Sequence, residues 1–372
     1  MNKRIMYLVV LLVFTASFVA GCAPQATPTP QIIIQTAPPV TVKETVQVQV
    51  QNTVVVEKLV TPTAAPVQKL KVFGAYATPI EEPWDGVIHA ALKQAQDQGK
   101  ITYEYTENIG YSGDMERILR EVATTKTPDI IFGDAFGNEE AVRRVAKDFP
   151  KIAFVFGSGG GPSEPNVSVF DNWIHEPAYL CGMLAAGLSK THVLGVVGAM
   201  PIPEVNRLVN AFIAGAKLVD PNTKVLVSFI NSFFDPAAAK EAALAQIDNK
   251  ADVLYAERFG VIDAAKDKSL FAFGNMSDQN SLAPDLVVSG PVWNMTPTID
   301  YVINQVKSGA YTAQDLKDFS MASKGGATLA PFHNTESKIP ADLLKKVMDQ
   351  KTQIESGLFR VDVDEAQPKP VN

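Results

Sequence analysis

From Lys69 onward the chain alternates short apolar runs with amphipathic stretches of helical length, and this rhythm limits the possible folds more than any other feature. Strands are expected over 70–76, 101–106, 129–133, 152–156, 193–197, 225–230, 252–255, 271–273 and 286–292. Helices are expected between them over 84–98, 113–125, 138–148, 177–189, 203–219, 236–249 and 296–307. Such alternation builds parallel sheets with helices on both faces. Runs like Ile130-Ile131-Phe132 are apolar throughout, as strands covered on both sides are. There are too many strands for one comfortable sheet, and the rhythm restarts after Ser189. We therefore expect an α/β protein of two doubly wound lobes with a cleft and hinge. The first covers 69–190, completed by about 291–310, and the second 191–290, completed by about 311–360.

The start of the chain has a different chemistry. Lys3 and Arg4 precede an apolar stretch over 5–19 that is too short to span a bilayer, which takes about 20 apolar residues. Val19-Ala20-Gly21-Cys22 then resembles the lipobox of bacterial lipoproteins. Residues 1–21 read as a signal peptide and Cys22 as the lipidation site; the plainer reading is an ordinary signal with a cysteine nearby. Acyl chains contribute about 0.8 kcal/mol per buried CH₂, enough to hold a soluble domain at a membrane surface. Between Ala23 and Gln68 there is neither glycine nor an aromatic residue, and Pro, Thr, Gln and Val dominate. Residues 22–68 read as the lipidated cysteine and an extended tether, although 46–50 alternate like a strand.

Composition excludes several classes. With 46% hydrophobic and 20% charged residues the chain is globular, and a net charge of -7 without basic clusters argues against a nucleic-acid partner. Cys181 is the only cysteine besides Cys22 and reads as a buried, inert thiol. His89, His175, His192 and His333 lack metal-ligand spacing, so neither metal nor cofactor is expected. Gly157-Ser158-Gly159-Gly160-Gly161 follows a strand, but no Lys-Ser/Thr completes a phosphate loop and Pro162 interrupts a helix start. No Gly-x-Ser-x-Gly elbow occurs in the helical lobes. An enzyme is not expected; a nucleoside-processing enzyme stays as the alternative.

In open α/β sheets ligands sit outside the carboxyl ends of the strands. The segments there pair an aromatic with an amide, carboxylate or guanidinium: Trp84, Phe136, Glu204, Phe233, Asp235, Arg258, Phe259, Asn275, Met276 and Trp293, with Asn172 added. Flat faces with a few directional donors and acceptors suit a planar polar ring such as a purine. The competing roles are plain. The aromatics can cap the cores, Asp134, Asp235 and Asp278 can cap helices, and Glu204 suits a helix's first turn whatever its function.

At these residues the chain resembles the basic membrane protein family of lipoproteins, the substrate-binding components of bacterial ABC transporters that include purine nucleoside and nucleobase receptors. Pro201-Ile202-Pro203-Glu204-Val205, Asn210-Ala211-Phe212-Ile213-Ala214-Gly215-Ala216, Asn231-Ser232-Phe233-Phe234-Asp235-Pro236 and the stretch 173–184 with Glu176 and Tyr179 carry the similarity. The resemblance implies a type I periplasmic-binding-protein fold, a small purine-like ligand, ABC permease and ATPase partners, and a monomer anchored at the extracytoplasmic face of a cell membrane. A ligand-sensing lipoprotein without transport would need the same cleft. One departure stands out. Nucleoside-binding members carry Gly-x-Asp-x-Asp, whose first aspartate holds the ribose; here the run is Gly274-Asn275-Met276-Ser277-Asp278. Met276 cannot accept those hydrogen bonds, which favours a free base or another small aromatic ligand.

Overall fold

The computed structural model describes residues 42–44, 56–58 and 69–369. The chain divides into Met1–Val67 and Gln68–Asn372. In the first unit Val42–Glu44 pairs antiparallel with Val56–Lys58. The signal 1–21, Cys22 and the strand-like 46–50 lie outside the described residues.

The second unit carries β1 (Leu70–Ala75), α1 (Pro83–Asp97), β2 (Ile101–Thr106), α2 (Asp114–Thr125), β3 (Ile130–Asp134), α3 (Glu139–Asp148), β4 (Ala153–Gly157) and β5 (Val167–Phe170). These are followed by α4 (His175–Leu188), β6 (Val193–Gly198), α5 (Pro203–Val219), β7 (Lys224–Phe229), α6 (Pro236–Asp248), β8 (Val253–Ala256), α7 (Val261–Lys268), β9 (Phe271–Phe273) and β10 (Val287–Ser289). β11 (Pro291–Trp293), α8 (Thr296–Lys307), β12 (Ala327–Leu329) and α9 (Ala341–Glu355) complete it.

Two five-stranded parallel sheets result, ordered β2-β1-β3-β4-β5 and β7-β6-β8-β9-β10. Each order reverses direction once, between β1 and β3 in one lobe and between β6 and β8 in the other, and a crevice opens where the connections diverge. Period-two alternation places successive side chains in different cores. Ile130 and Phe132 face a core shared with α1 and α8, while Ile131 faces the one under α2 and α3. Val253 and Tyr255 likewise face α4, α5 and α9, while Leu254 and Ala256 face α6 and α7. Both sheets are thus covered on two sides, which is why inner strands such as β3 and β8 read as apolar runs, while the edge strand β2 alternates buried and exposed residues.

The lobe boundary differs from the expected one. α4, placed in the first lobe by the rhythm, packs into the core of the second. It is buried from His175 through Ala186, and a helix apolar on all sides needs neighbours on all sides. α5 supplies one of them at very close range. A Cβ at Gly182 would lie 1.9 Å from the Phe212 carbonyl oxygen, and one at Gly215 the same distance from that of Tyr179.

The return crossing also comes later than expected, because residues 311–319 still pack on the first lobe. Tyr311 and Leu316 join its core, and the Leu316 N–H donates to the Val169 carbonyl at 2.7 Å. The expected strand over 286–292 is two strands: β10 belongs to the second sheet, and β11 leaves it to pair antiparallel with β12. The chain passes between lobes at 171–174 and along this β11–β12 pair. The short β5 and the helices α7 and α9 were not anticipated.

The helix crossing yields a stability prediction. Gly215→Val should force α4 and α5 apart and destabilise the fold by about 3 kcal/mol, read as a lower denaturant midpoint. An unchanged midpoint would show that the close approach is dispensable.

Candidate functional site

The loops after the strands at the two reversal points face one another across the cleft. After β1 the chain turns through Thr78 to Glu82, whose carboxylate caps α1 by accepting from the N–H groups of Trp84 (2.8 Å) and Asp85 (3.2 Å). Pro83 at the first helical position needs no such acceptor. Asp85 accepts from the Thr78 hydroxyl at 2.6 Å and its N–H at 3.0 Å. After β3, Asp134 accepts from the Phe136 backbone N–H at 2.9 Å, which holds the turn that carries that ring. In the second lobe Glu204 opens α5, Phe233 lies in the loop after β7, and Glu257-Arg258 follow β8. Glu257 is anchored by the Ala199 N–H at 3.0 Å.

Three contacts span the cleft. The buried Arg258 guanidinium meets the buried Glu82 carboxylate at 3.0 Å and Glu257 at 2.6 Å, and also donates to the Phe233 carbonyl at 2.8 Å. The Ser158 hydroxyl donates to Glu204 at 3.3 Å. Phe136 meets Phe233 edge to face, with ring centroids 4.9 Å apart. Arg258, Glu82, Phe233, Ser158, Glu204 and Phe136, with Thr78, Trp84, Tyr111 and Asp134, line one cavity, and Glu257 lies behind Arg258. Trp84 is its floor, stacked on Phe170 at 5.7 Å; its indole N–H has no partner among the described residues.

The electrostatics of the cavity are those of an acid cluster around one cation. Burial raises the pKa of Glu82, and Arg258 partly offsets the rise. Burial and the neighbouring Glu82 push Asp85 up to about 7, while burial and Asp85 push Asp134 well above the carboxylate range. Burial and Asp171 bring Glu204 to about 8. Burial works against the charge of Arg258, but Glu257 and Glu82 outweigh it and hold its pKa above the ordinary value. A cleft of this kind offers many acceptors, one fixed multiple donor and flat apolar walls.

Of the residues expected from sequence, the structure brings Trp84, Phe136, Glu204, Phe233 and Arg258 to this cavity. Six others lie elsewhere. Asp235 is exposed and caps α6, accepting from the Ala238 N–H at 3.0 Å. Phe259 packs edge to face on Phe234. Asn275 is buried behind the cavity, accepting from Tyr255 at 2.8 Å and donating to Glu257. Met276 is wholly buried in the first lobe's core. Asn172 is buried between the Met276 sulfur and Arg207. Trp293 lies on Trp84 and Phe170 with its indole N–H on Ser320 at 3.0 Å, so it supports the floor from beneath. Asn275, Met276 and Trp293 share one reason: the chain leaves the second sheet after β10 and β11 runs toward the hinge, with Met276 bridged to Val292, so the segments beside it pack inward. Sequence reasoning missed Thr78, Glu82, Tyr111 and Ser158, and weighed Asp134 evenly between a helix cap and a cleft residue without naming it as a ligand-binding one. The signal for Glu82 was present in Glu82-Pro83-Trp84, a cap position before a first-turn proline.

Two lobes of repeated topology, joined by crossing strands and lined at their facing strand ends, define a two-lobed solute-binding protein. Over residues 78–331 the chain matches the family described as ABC transporter substrate-binding protein PnrA-like, and it belongs to that family. Members bind small molecules for an ABC transporter and are not enzymes. A purine-binding protein of Brucella abortus is 31% identical over 263 residues, 69% of this chain and 72% of that protein. A protein of Haloferax volcanii named as a candidate ABC transporter glucose-binding protein is also 31% identical, over 60% of this chain and 58% of its own length. An ABC transporter nucleoside-binding protein of Lactococcus lactis is 30% identical over 51% of this chain and 50% of its own. Solute-binding proteins from Aeropyrum pernix (TM-score 0.67, 16% identity, 79% of this chain and 94% of that one) and Conexibacter woesei (0.64, 20%, 79% and 99%) share the fold.

The acid cluster gives a pH prediction. Folding raises the Glu204 pKa from 4.5 to about 8, so the stability of its protonated form is present below 4.5 and lost as pH rises through 8. Glu204→Gln escapes that loss. The variant should match the native chain near pH 4.5 and exceed it by on the order of 1 kcal/mol at pH 8, by denaturant unfolding. Parallel pH profiles would show that Glu204 ionises freely in the cleft.

Proposed function

We propose that this substrate-binding protein takes up a purine base or nucleoside between Phe136 of the first lobe and Phe233 of the second, and presents it to its permease by closure of the lobes. The observation that carries the reading is the pairing of those two rings across the cleft beside Asp134, Glu204 and Arg258. A planar ring stacks on aromatic faces for about 1–3 kcal/mol. Carboxylates accept from ring and exocyclic N–H groups, and the guanidinium donates to ring nitrogens or a carbonyl. The relatives named for purine and nucleoside binding support the same reading. The rings touch directly here, so a base enters only when the lobes part, and hinge bending at 171–174 and β11–β12 supplies that motion.

The proposal extends to the tether. Lipidated at Cys22, the chain would work as a monomer at the extracytoplasmic membrane face, with 22–68 as spacer. Cys22→Ala should move the protein from the membrane to the soluble fraction; retention at the membrane would remove the anchor.

The ligand test is calorimetry with adenine, hypoxanthine, their nucleosides and glucose. A purine should bind and glucose should not. Phe233→Ala should weaken purine binding by about 10- to 100-fold while leaving the melting temperature of the free protein nearly unchanged. Binding of glucose alone, or indifference to the substitution, would overturn the purine reading.

A further inference from the structure

The chain after α9 forms a strap on the second lobe. Phe359 packs on Tyr179 with ring centroids 5.9 Å apart, and Val361 is buried in that lobe's core. From there the strap follows α5 and pairs with no strand among the described residues. Asn206 donates to the Glu365 carbonyl at 3.0 Å, and Asn210 donates to the carbonyls of Asp364 at 2.9 Å and Ala366 at 2.8 Å. Side chains on one face of a helix hold the strap, where a ladder of backbone bonds would hold a strand.

Two charges of the strap reach buried groups of opposite sign. Arg360 meets the wholly buried Glu176 carboxylate at 3.3 Å, and Glu365 meets the buried Arg207 guanidinium at 3.0 Å. Each buried group also holds a crossing between the lobes. The second Glu176 oxygen accepts from the Ala322 N–H at 2.9 Å, on the chain leading into β12. Arg207 meets Asp171 at 2.6 Å and donates to Asn172 at 3.1 Å, in the 171–174 crossing. The crossings are tied to one another, because the Ser320 hydroxyl donates to the Asp171 carbonyl and accepts from the Trp293 indole N–H of β11. Trp293 in turn lies on Trp84, the floor of the cavity.

The seam under the strap is incompletely paired. The Trp173 indole N–H, Asn206 Oδ1 and Arg207 Nε are buried there with no partner among the described residues. Burying such groups opposes the seating of the strap, and the charge-assisted bonds of Arg360 and Glu365 offset that cost. We propose that the strap is a clamp on the hinge, with Arg360 and Glu365 as positioning residues that slow the parting of the lobes. Bending at 171–174 must move Asp171 against Arg207, and bending at β12 must move Ala322 against Glu176; the strap fixes the far side of both. The inference rests on the proposed closure and adds what sets its rate. Once loosened, the clamp lets the empty and the filled cleft open alike, so a ligand enters and leaves faster with little change in affinity.

The test uses the full chain with Glu365→Gln, Arg360→Gln and the double variant, which leaves the net charge unchanged. The Glu365 and Arg360 side chains are 42% and 53% exposed, so neutral replacements are compatible with folding. Hydrogen exchange of the protein without ligand is read at the Trp293, Asn294 and Ala330 N–H groups, whose acceptors are the carbonyls of Met276, Gly326 and Gly290 and not the strap. In the double variant these should exchange about 3- to 10-fold faster, with the amides of β3 and β8 unchanged. Stopped-flow tryptophan fluorescence with adenine should show association and dissociation both accelerated by about that factor, and affinity within about threefold of the native chain's. Arg360→Lys, which keeps the charge, should retain native rates. Unchanged exchange at the hinge, an equal rise at hinge and sheets, or native adenine rates in the double variant overturns the clamp. If adenine does not bind the native chain, the purine reading falls and the exchange measurement alone decides the clamp.

Discussion

The buried guanidinium of Arg258 organises the cleft. A charge taken out of water at this depth costs several kcal/mol unless it is paired and fully hydrogen-bonded. Here Glu82, Glu257 and the Phe233 carbonyl supply the pairing. Each partner is tied to a different element. Glu257 is held by the β6 end through Ala199 and by Asn275, Phe233 belongs to the loop after β7, and Glu82 caps α1 in the other lobe. The strand ends of the second lobe are thereby set with respect to the first helix of the first lobe. Glu82 serves both sides at once, one oxygen on the helix N–H groups and the other on the guanidinium. Any separation of the lobes must leave that second oxygen to water, while Arg258 keeps Glu257 and the Phe233 carbonyl.

What the sequence revealed of the fold follows from which interactions are local. Strands buried on both faces announce themselves as apolar runs, and first-turn prolines mark α1, α5, α6 and α8, so the two α/β lobes and most helices were legible. α4 was recognised as a helix but placed in the wrong lobe, since apolarity on every side says that it is surrounded and not by what. β5, four residues long with Ser168 in its middle, falls below the length at which alternation is readable.

The site was legible at its aromatics and at Arg258, where a charge among apolar strand ends required an unseen partner. That partner, Glu82, lies 176 positions away, and no local pattern connects the two. The opposite error came from treating every strand end as cleft. The chain leaves the second sheet after β10 and β11 pairs with β12 at the hinge, so Asn275 and Met276 after β9, and Trp293 at the end of β11, face the interior.

The acid excess makes sense of a cleft that is incomplete without its solute. Asp85, Asp134 and Glu204 are raised toward neutrality because burial disfavours their charge and each has another carboxylate nearby. Protons are one source of relief and the N–H and O–H donors of a ligand are another, so the two compete. Under the proposed closure, a purine that donates to Asp134 or Glu204 would stabilise their ionised forms and release protons as it binds. Phe136 and Phe233 would separate to admit it, exchanging one edge-to-face contact for two stacked faces. The same carboxylates that destabilise the empty cleft would then hold the filled one closed.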